Sequence, residues 1–260
     1  MGCRNYFTQN IFVGDTVQRY LLKLSFDGTS YHGWQVQPNG ITVQEQLQLS
    51  FKKLYGFAPS VTGCSRTDAG VHANMFFCHF DLDNPVPTDG IIFGLNSVLP
   101  EDIRVLDCCE VDLDFHCRYN AKSKNYIYKI YRKRIQDPFS SRYSYRYCGP
   151  LNIDDINYFC SSLIGEHDFA GFSSINRSVD NTIRNVTECC VKIEGDFLVF
   201  SITANGFLYN MVRILVGTAI GVGSGKIDKD IANEIFICGR RDLAGATAPA
   251  KGLFLNNVVY

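Results

Sequence analysis

Apolar and polar positions alternate from Tyr20 to Phe26, with Tyr20, Leu22, Leu24 and Phe26 on one side and Leu21, Lys23 and Ser25 on the other, as a half-buried strand requires. Asp27-Gly28 ends it. From Thr42 the period lengthens: Val43, Leu47, Phe51 and Leu54 return to one helical face, Thr42 and Glu45 have capping-box spacing, and Gly56 marks the stop. A short strand at residues 60–64, a polar loop over 65–70 and an apolar strand at 75–80 follow. The spacing then predicts a helix over 88–98 closed by Pro100, and a strand over 103–109. The strongest strand signal runs from Asn125 to Arg134. After it the pattern begins again, with a helix from about Asn152, strands at 186–193 and 198–203 joined by Glu194-Gly195-Asp196, helices over 209–220 and 228–238, and a last strand over 253–260.

Both stretches mix strands and helices without the regular βαβ alternation of a parallel doubly wound sheet, so the pattern predicts an α+β fold with two related halves. No linker-like tract separates them, which favours a shared central sheet. A cut near residues 114–120 gives an N-terminal arm of residues 1–19, an N-terminal half of residues 20–115 and a C-terminal half of residues 116–260.

Composition changes this picture little. The chain has 260 residues, 46% of them apolar and 20% charged, enough for a substantial core. Lys and Arg number 25 against 26 Asp and Glu, so long-range attraction of nucleic acid is absent and phosphate binding must come from local clustering. Eleven cysteines, odd in number and without a CxxC pair, argue against a disulfide framework or structural zinc and for a reducing cytoplasm. Residues 206–223, the most apolar stretch, are short for a bilayer span and contain Asn210 and Arg213, which points to a core helix and no membrane insertion.

Three places could carry chemistry. The loop Gly63-Cys64-Ser65-Arg66-Thr67-Asp68-Ala69-Gly70-Val71-His72-Ala73 reads either as a turn or as a loop presenting Asp68 as a nucleophile, with Arg66 near enough to keep it ionised. Arg213 interrupts an apolar helix; it either faces solvent or points inward, and inward it needs a carboxylate, for which Asp68 is a candidate. The run from Lys122 to Arg134 interleaves bases with Tyr126, Tyr128 and Tyr131, which suits either a strand with solvated cations or phosphate contact with base stacking. His72, Cys78 and His79 lack the pairing of a metal site, and Asp81-Leu82-Asp83 follows an apolar strand without the helix a phosphotransfer site would need.

The motifs Asp27-Gly28-Thr29-Ser30-Tyr31-His32-Gly33-Trp34-Gln35, Ser65 to Ala73, the strand holding Tyr126, Asn210-Met211-Val212-Arg213 and Ala246-Thr247-Ala248-Pro249-Ala250-Lys251-Gly252-Leu253 occur in that order. With them the chain resembles the tRNA pseudouridine synthase A family from about Tyr20 to the C-terminus. The resemblance implies the pseudouridine synthase fold, with two pseudo-symmetric halves on one mainly antiparallel sheet flanked by helices. It also implies a cofactor-free, metal-independent isomerase that converts uridine to pseudouridine at positions 38 to 40 in the tRNA anticodon arm, acting as a cytoplasmic homodimer. By the same resemblance Asp68 is the nucleophile, Arg66 opens or holds the target nucleotide, Tyr126 stacks on its base, Arg213 pairs with Asp68, and Leu253 lines the uracil pocket. An aspartate so paired is expected to have a lowered pKa. Two positions depart from the family pattern: Ser65 stands where glycine is common, and Tyr209-Asn210 replaces a histidine pair. Two other function classes are a noncatalytic RNA-binding protein using the Tyr126 strand, and a Mg²⁺-dependent phosphatase with Asp81 as nucleophile.

Overall fold

A computed structural model of the chain describes residues 17–174 and 181–260, so most of the N-terminal arm lies outside the described residues. The first half comprises β1 (Gln18–Phe26), α1 (Val43–Tyr55), β2 (Thr62–Gly63), β3 (His72–Leu82), α2 (Thr88–Val98) and β4 (Ile103–Val111). The second comprises β5 (Ser123–Tyr131), β6 (Tyr145–Arg146), α3 (Ile153–Ser162), β7 (Gly165–Asp168), β8 (Ile183–Glu194), β9 (Phe197–Ala204), α4 (Met211–Gly223), α5 (Ile231–Cys238) and β10 (Leu253–Val259).

All strands join one ten-stranded sheet with the path β4-β1-β3-β10-β5-β9-β8-β7, β2 pairing with β3 and β6 with β5. Each half repeats one topology. In the first, β1 lies between β4 and β3, with β2 beyond β3; in the second, β5 lies between β10 and β9, with β8 beyond β9, and each of these pairings is antiparallel. The fold is therefore α+β with two pseudo-symmetric halves. They meet where β3 and β10 run parallel, pairing His72 with Phe254 and Ala73 with Leu255.

Local chemistry accounts for the elements. Thr42 Oγ1 accepts the Glu45 N–H at 3.3 Å to start α1, Gly56 ends it at φ 80°, and Val43, Leu47 and Phe51 on its inner face are buried. Phe51 packs on Phe80, which stacks on Tyr20, so Phe51→Ala would cost roughly 3–5 kcal/mol. Asn152 caps α3 through the N–H groups of Asp154 and Asp155.

The observed ends differ from the sequence pattern in instructive ways. Strand β5 stops at Tyr131, because the Arg132 guanidinium turns to donate to the carbonyls of Tyr147 and Gly149. Helix α4 begins only at Met211, since Asn210 sits at φ 59°, and it continues through the glycines at 221 and 223 before Gly225 reverses the chain at φ 71°. Helix α5 begins at Ile231 rather than at Asp228. The short β6 and β7 carry too few residues for any periodicity to announce them. The ten cysteines among the described residues are all free.

Candidate active site

The loop joining β2 to β3 rests on the segment that follows β1. Gly70 N–H donates to the Tyr31 carbonyl at 3.1 Å and Trp34 N–H to the Thr67 carbonyl at 3.2 Å, while buried Trp34 stacks on Phe76 with ring centroids 4.2 Å apart. A Cβ on Gly33, at φ 83°, would lie 2.2 Å from the Thr67 carbonyl oxygen, and one on Gly28 would lie 2.0 Å from that of Val71. Two backbones thus lie against each other with no room for side chains. His72, just beyond the loop, accepts the Gly28 N–H on Nδ1 at 3.0 Å, has Nε2 3.2 Å from the Lys251 carbonyl, and stacks on Phe254. It is a structural histidine at the seam between the halves.

Asp68 projects from this loop toward the first turn of α4. Arg213 Nη1 donates to Asp68 Oδ2 at 3.2 Å and to Asn210 Oδ1 at 2.7 Å, and Nε donates to the Ala248 carbonyl at 2.8 Å. Arg213 therefore points inward, aimed by two neutral acceptors as well as by the carboxylate. The segment supplying Ala248 is lashed to α4: Ala248 N–H donates to the Arg213 carbonyl, Gly245 N–H donates to Thr218 Oγ1, and a Cβ on Gly217 would stand 1.7 Å from the Ala246 carbonyl oxygen.

Two expectations about Asp68 need correction. Among the described residues no salt bridge joins Arg66 to Asp68; Arg66 is exposed, and the cation that meets the carboxylate is Arg213. The Asp68 pKa is also raised rather than lowered, because burial disfavours the carboxylate by more than the charge and single long hydrogen bond of Arg213 favour it.

Asp68, Tyr126, Leu253 and Arg213 line one small cavity of about 50 Å³, together with Arg66, Phe207 and Leu208. Tyr126 is 6% exposed, stands edge-on to Phe207 at 5.0 Å, and has its hydroxyl 3.2 Å from Ser65 Oγ. Burial raises its pKa, so the hydroxyl keeps its proton at neutral pH. Leu253 opens β10 opposite Tyr128, whose hydroxyl donates to the Pro249 carbonyl at 2.7 Å. Through Ser65, Arg66, Phe207 and Leu208 the cavity continues into an open groove of about 590 Å³ walled by Arg66, Arg118, Lys124 and Arg184, with exposed Tyr119 and Tyr209 and, among the described residues, no carboxylate. Among the described residues no cluster of three or more His, Cys, Asp and Glu could hold a metal ion.

The model of a family described as tRNA pseudouridine synthase matches residues 24–120 and 159–260. The chain belongs to the tRNA pseudouridine synthase family. Curated relatives agree over nearly the whole chain. A tRNA pseudouridine synthase A of Thermoanaerobacter sp. (strain X514) is 43% identical over 244 residues, which is 94% of this chain and 100% of that protein. Those of Halalkalibacterium halodurans and Geobacter sp. (strain M21) are 41% and 40% identical, covering 91% and 92% of this chain and 90% and 97% of theirs. The chain is accordingly an isomerase by family.

The two departures from the family pattern both touch the site. Ser65 meets the Tyr126 hydroxyl, and Asn210 meets Arg213 while its Nδ2 donates to Ser174 Oγ at 2.9 Å. Asn210 holds the only positive φ of any non-glycine among the described residues, a conformation asparagine tolerates better than most. Sequence reasoning passed over the Ala248 carbonyl, Phe207 and Leu208. An asparagine three positions before a helical arginine was a usable signal for the first turn; a backbone acceptor from residue 248 left none.

Proposed function

We propose that the chain isomerises uridine to pseudouridine at positions 38 to 40 of the tRNA anticodon stem-loop, with Asp68 as nucleophile. The supporting observation is the Asp68–Arg213 pair inside a cavity walled by Tyr126 and Leu253 and continuous with a cationic groove. A base within a stem reaches such a cavity only by flipping out of its stack. Tyr126 and Leu253 would then sandwich uracil, and exposed Arg66, at the junction of cavity and groove, would hold the strand around the vacated position.

Arg213 occupies Oδ2, so Oδ1 of Asp68 is the oxygen free to attack. The overall change breaks the N1–C1′ bond, forms C5–C1′, releases the C5 proton and adds a proton at N1. Atoms and charge balance without an oxidant, reductant or metal. A carboxylate of raised basicity is a stronger nucleophile than a solvated one while it stays ionised, which the Arg213 charge favours.

Residues 20–115 would supply the nucleophile loop, and residues 116–260 the pocket walls and Arg213. The family resemblance further supports a homodimer, which sedimentation tests, and free thiols are compatible with a cytoplasmic setting. No helix among the described residues is long and apolar enough to cross a membrane. The decisive test is tritium release from unmodified tRNA carrying 5-³H-uridine, because C5 must lose its hydrogen. Release by the native chain and none by Asp68→Asn is the expected result. No release by either, with tRNA still bound, would leave a noncatalytic RNA-binding protein.

A further inference from the structure

Lys124 is only 8% exposed and lies on the same face of β5 as Tyr126 and Tyr128. Its ammonium carries three protons to donate. Among the described residues it has one acceptor, the Cys64 carbonyl at 2.7 Å, and no carboxylate within salt-bridge distance. Burial pushes its pKa down, and the like charges of Arg118 and Arg184 push it further the same way. A cation withdrawn from water without a counter-ion is costly, and an incoming anion would offset that cost. Lys124 nevertheless reaches the wall of the large groove, where among the described residues Arg66, Arg118 and Arg184 are the other charged groups. That groove opens into the cavity holding Asp68.

We propose that Lys124, flanked by Arg118 and Arg184, is the seat of a phosphodiester of the RNA strand beside the flipped nucleotide. The inference rests on the tRNA reading above for the identity of the strand. An open groove with Tyr119 and Tyr209 exposed on its walls suits a nucleotide chain better than a free inorganic ion, since bases have a surface to stack on. The same lysine holds the carbonyl of Cys64, four residues before Asp68, so the seat is mechanically joined to the nucleophile loop.

The salt dependence of binding separates this role from mere support of the loop. Binding of an unmodified tRNA transcript is measured at rising KCl for the native chain and for Lys124→Met, which is unbranched like lysine, lacks only the terminal atom's reach, and fills most of the buried site without charge. Loss of one phosphate contact lowers the slope of log affinity against log salt by about 0.7–0.9. Lys124→Arg is expected to restore it. A native slope in Lys124→Met overturns the proposal, whatever happens to turnover. Should Lys124→Met not fold, Arg184→Met at the groove wall carries the same test, and an unchanged slope there overturns it too. Tritium release by the native chain reports separately on the isomerase reading. Release with an unchanged slope sinks the phosphate seat alone, and a lowered slope without release sinks the isomerase reading alone.

Discussion

Arg19 meets Asp81 through two parallel hydrogen bonds, Nε to Oδ1 at 2.7 Å and Nη2 to Oδ2 at 2.8 Å, between directly paired positions of β1 and β3. Arg213 meets Asp68 through one bond of 3.2 Å, from a helix to a loop. The first carboxylate is 39% exposed and its pKa is lowered, chiefly by the hydrogen bonds of Arg19. The second is 20% exposed and its pKa is raised, chiefly by burial. The same two functional groups thus give opposite shifts, decided by how much water each carboxylate loses and how well its arginine replaces it. Arg19 also donates to the Phe115 carbonyl, so its pair fastens the connection after β4 and is spent on structure. Arg213 divides its donors among Asp68, Asn210 and Ala248 and leaves Oδ1 free. Only the second pair lines a cavity into which a nucleobase could enter.

Exchanging each aspartate for asparagine breaks this comparison most sharply. Asp68→Asn is expected to lower tritium release by about 10³-fold or more, as loss of a nucleophile does, while Asp81→Asn leaves it unchanged. Stability should move the other way. A raised folded pKa makes the native state bind the proton more tightly than the unfolded chain, so stability falls as pH rises from the ordinary carboxylate value of about 3.9 through the raised one. At pH 7 Asp68 therefore carries a cost that asparagine removes, and Asp68→Asn should melt above the native chain. Thermal melts at pH 7 check this; a lower melting temperature would show that the carboxylate stabilises the fold despite its burial.

Removing the cation tests what Arg213 adds. Arg213→Met should reduce turnover by roughly 10²–10³-fold, the range found when a charge-stabilising donor is deleted from a buried site. It should also move the acidic limb of the pH–rate profile upward, because the one group favouring the carboxylate is gone while the burial remains. Equal profiles for native and variant would mean that Arg213 only holds residue 248 in place. Tyr126→Phe is a milder change: its hydroxyl meets Ser65 alone at 3.2 Å and keeps its proton, so turnover should fall by about fivefold, near the worth of one neutral hydrogen bond. A loss of 10²-fold or more would give the phenol a part in proton transfer.

Much of the fold was legible because its elements are long and periodic. The alternation of β1, the capped α1 and the β8–β9 hairpin around Glu194-Gly195-Asp196 all stand where the sequence pattern puts them, while β2, β6 and β7 are too short to carry a period. The site was legible by another route, through motifs whose residues lie far apart in the chain. What the pattern cannot express is where a carbonyl points or how much water a carboxylate loses. The Ala248 acceptor, the sign of the Asp68 shift and the inward turn of Lys124 all depend on those. The two halves show the limit clearly. Between the second and third strands of its topology the C-terminal half has the tight turn of Gly195-Asp196, with Gly195 at φ 58°, whereas the N-terminal half has the loop carrying Asp68. Topology offers the same place twice, and the side chains in one of them make it a site.

The smallest effect concerns the structural pair. Asp81 has a lowered folded pKa, so the stability it contributes is present above the ordinary carboxylate value of about 3.9 and is lost as pH falls through the folded one. Because the carboxylate is more than a third exposed, solvent screening limits the pair to under about 1 kcal/mol, or roughly 2–4 °C in a chain of this size. Asp81→Asn should therefore melt slightly below the native chain at pH 7. The gap should narrow as pH falls below the ordinary carboxylate value and shrink in 1 M salt. A gap that persists at low pH would trace the loss to the neutral hydrogen bonds across β1 and β3. The contrast with Asp68, whose substitution should raise the melting temperature at the same pH, would then be one of packing rather than of charge.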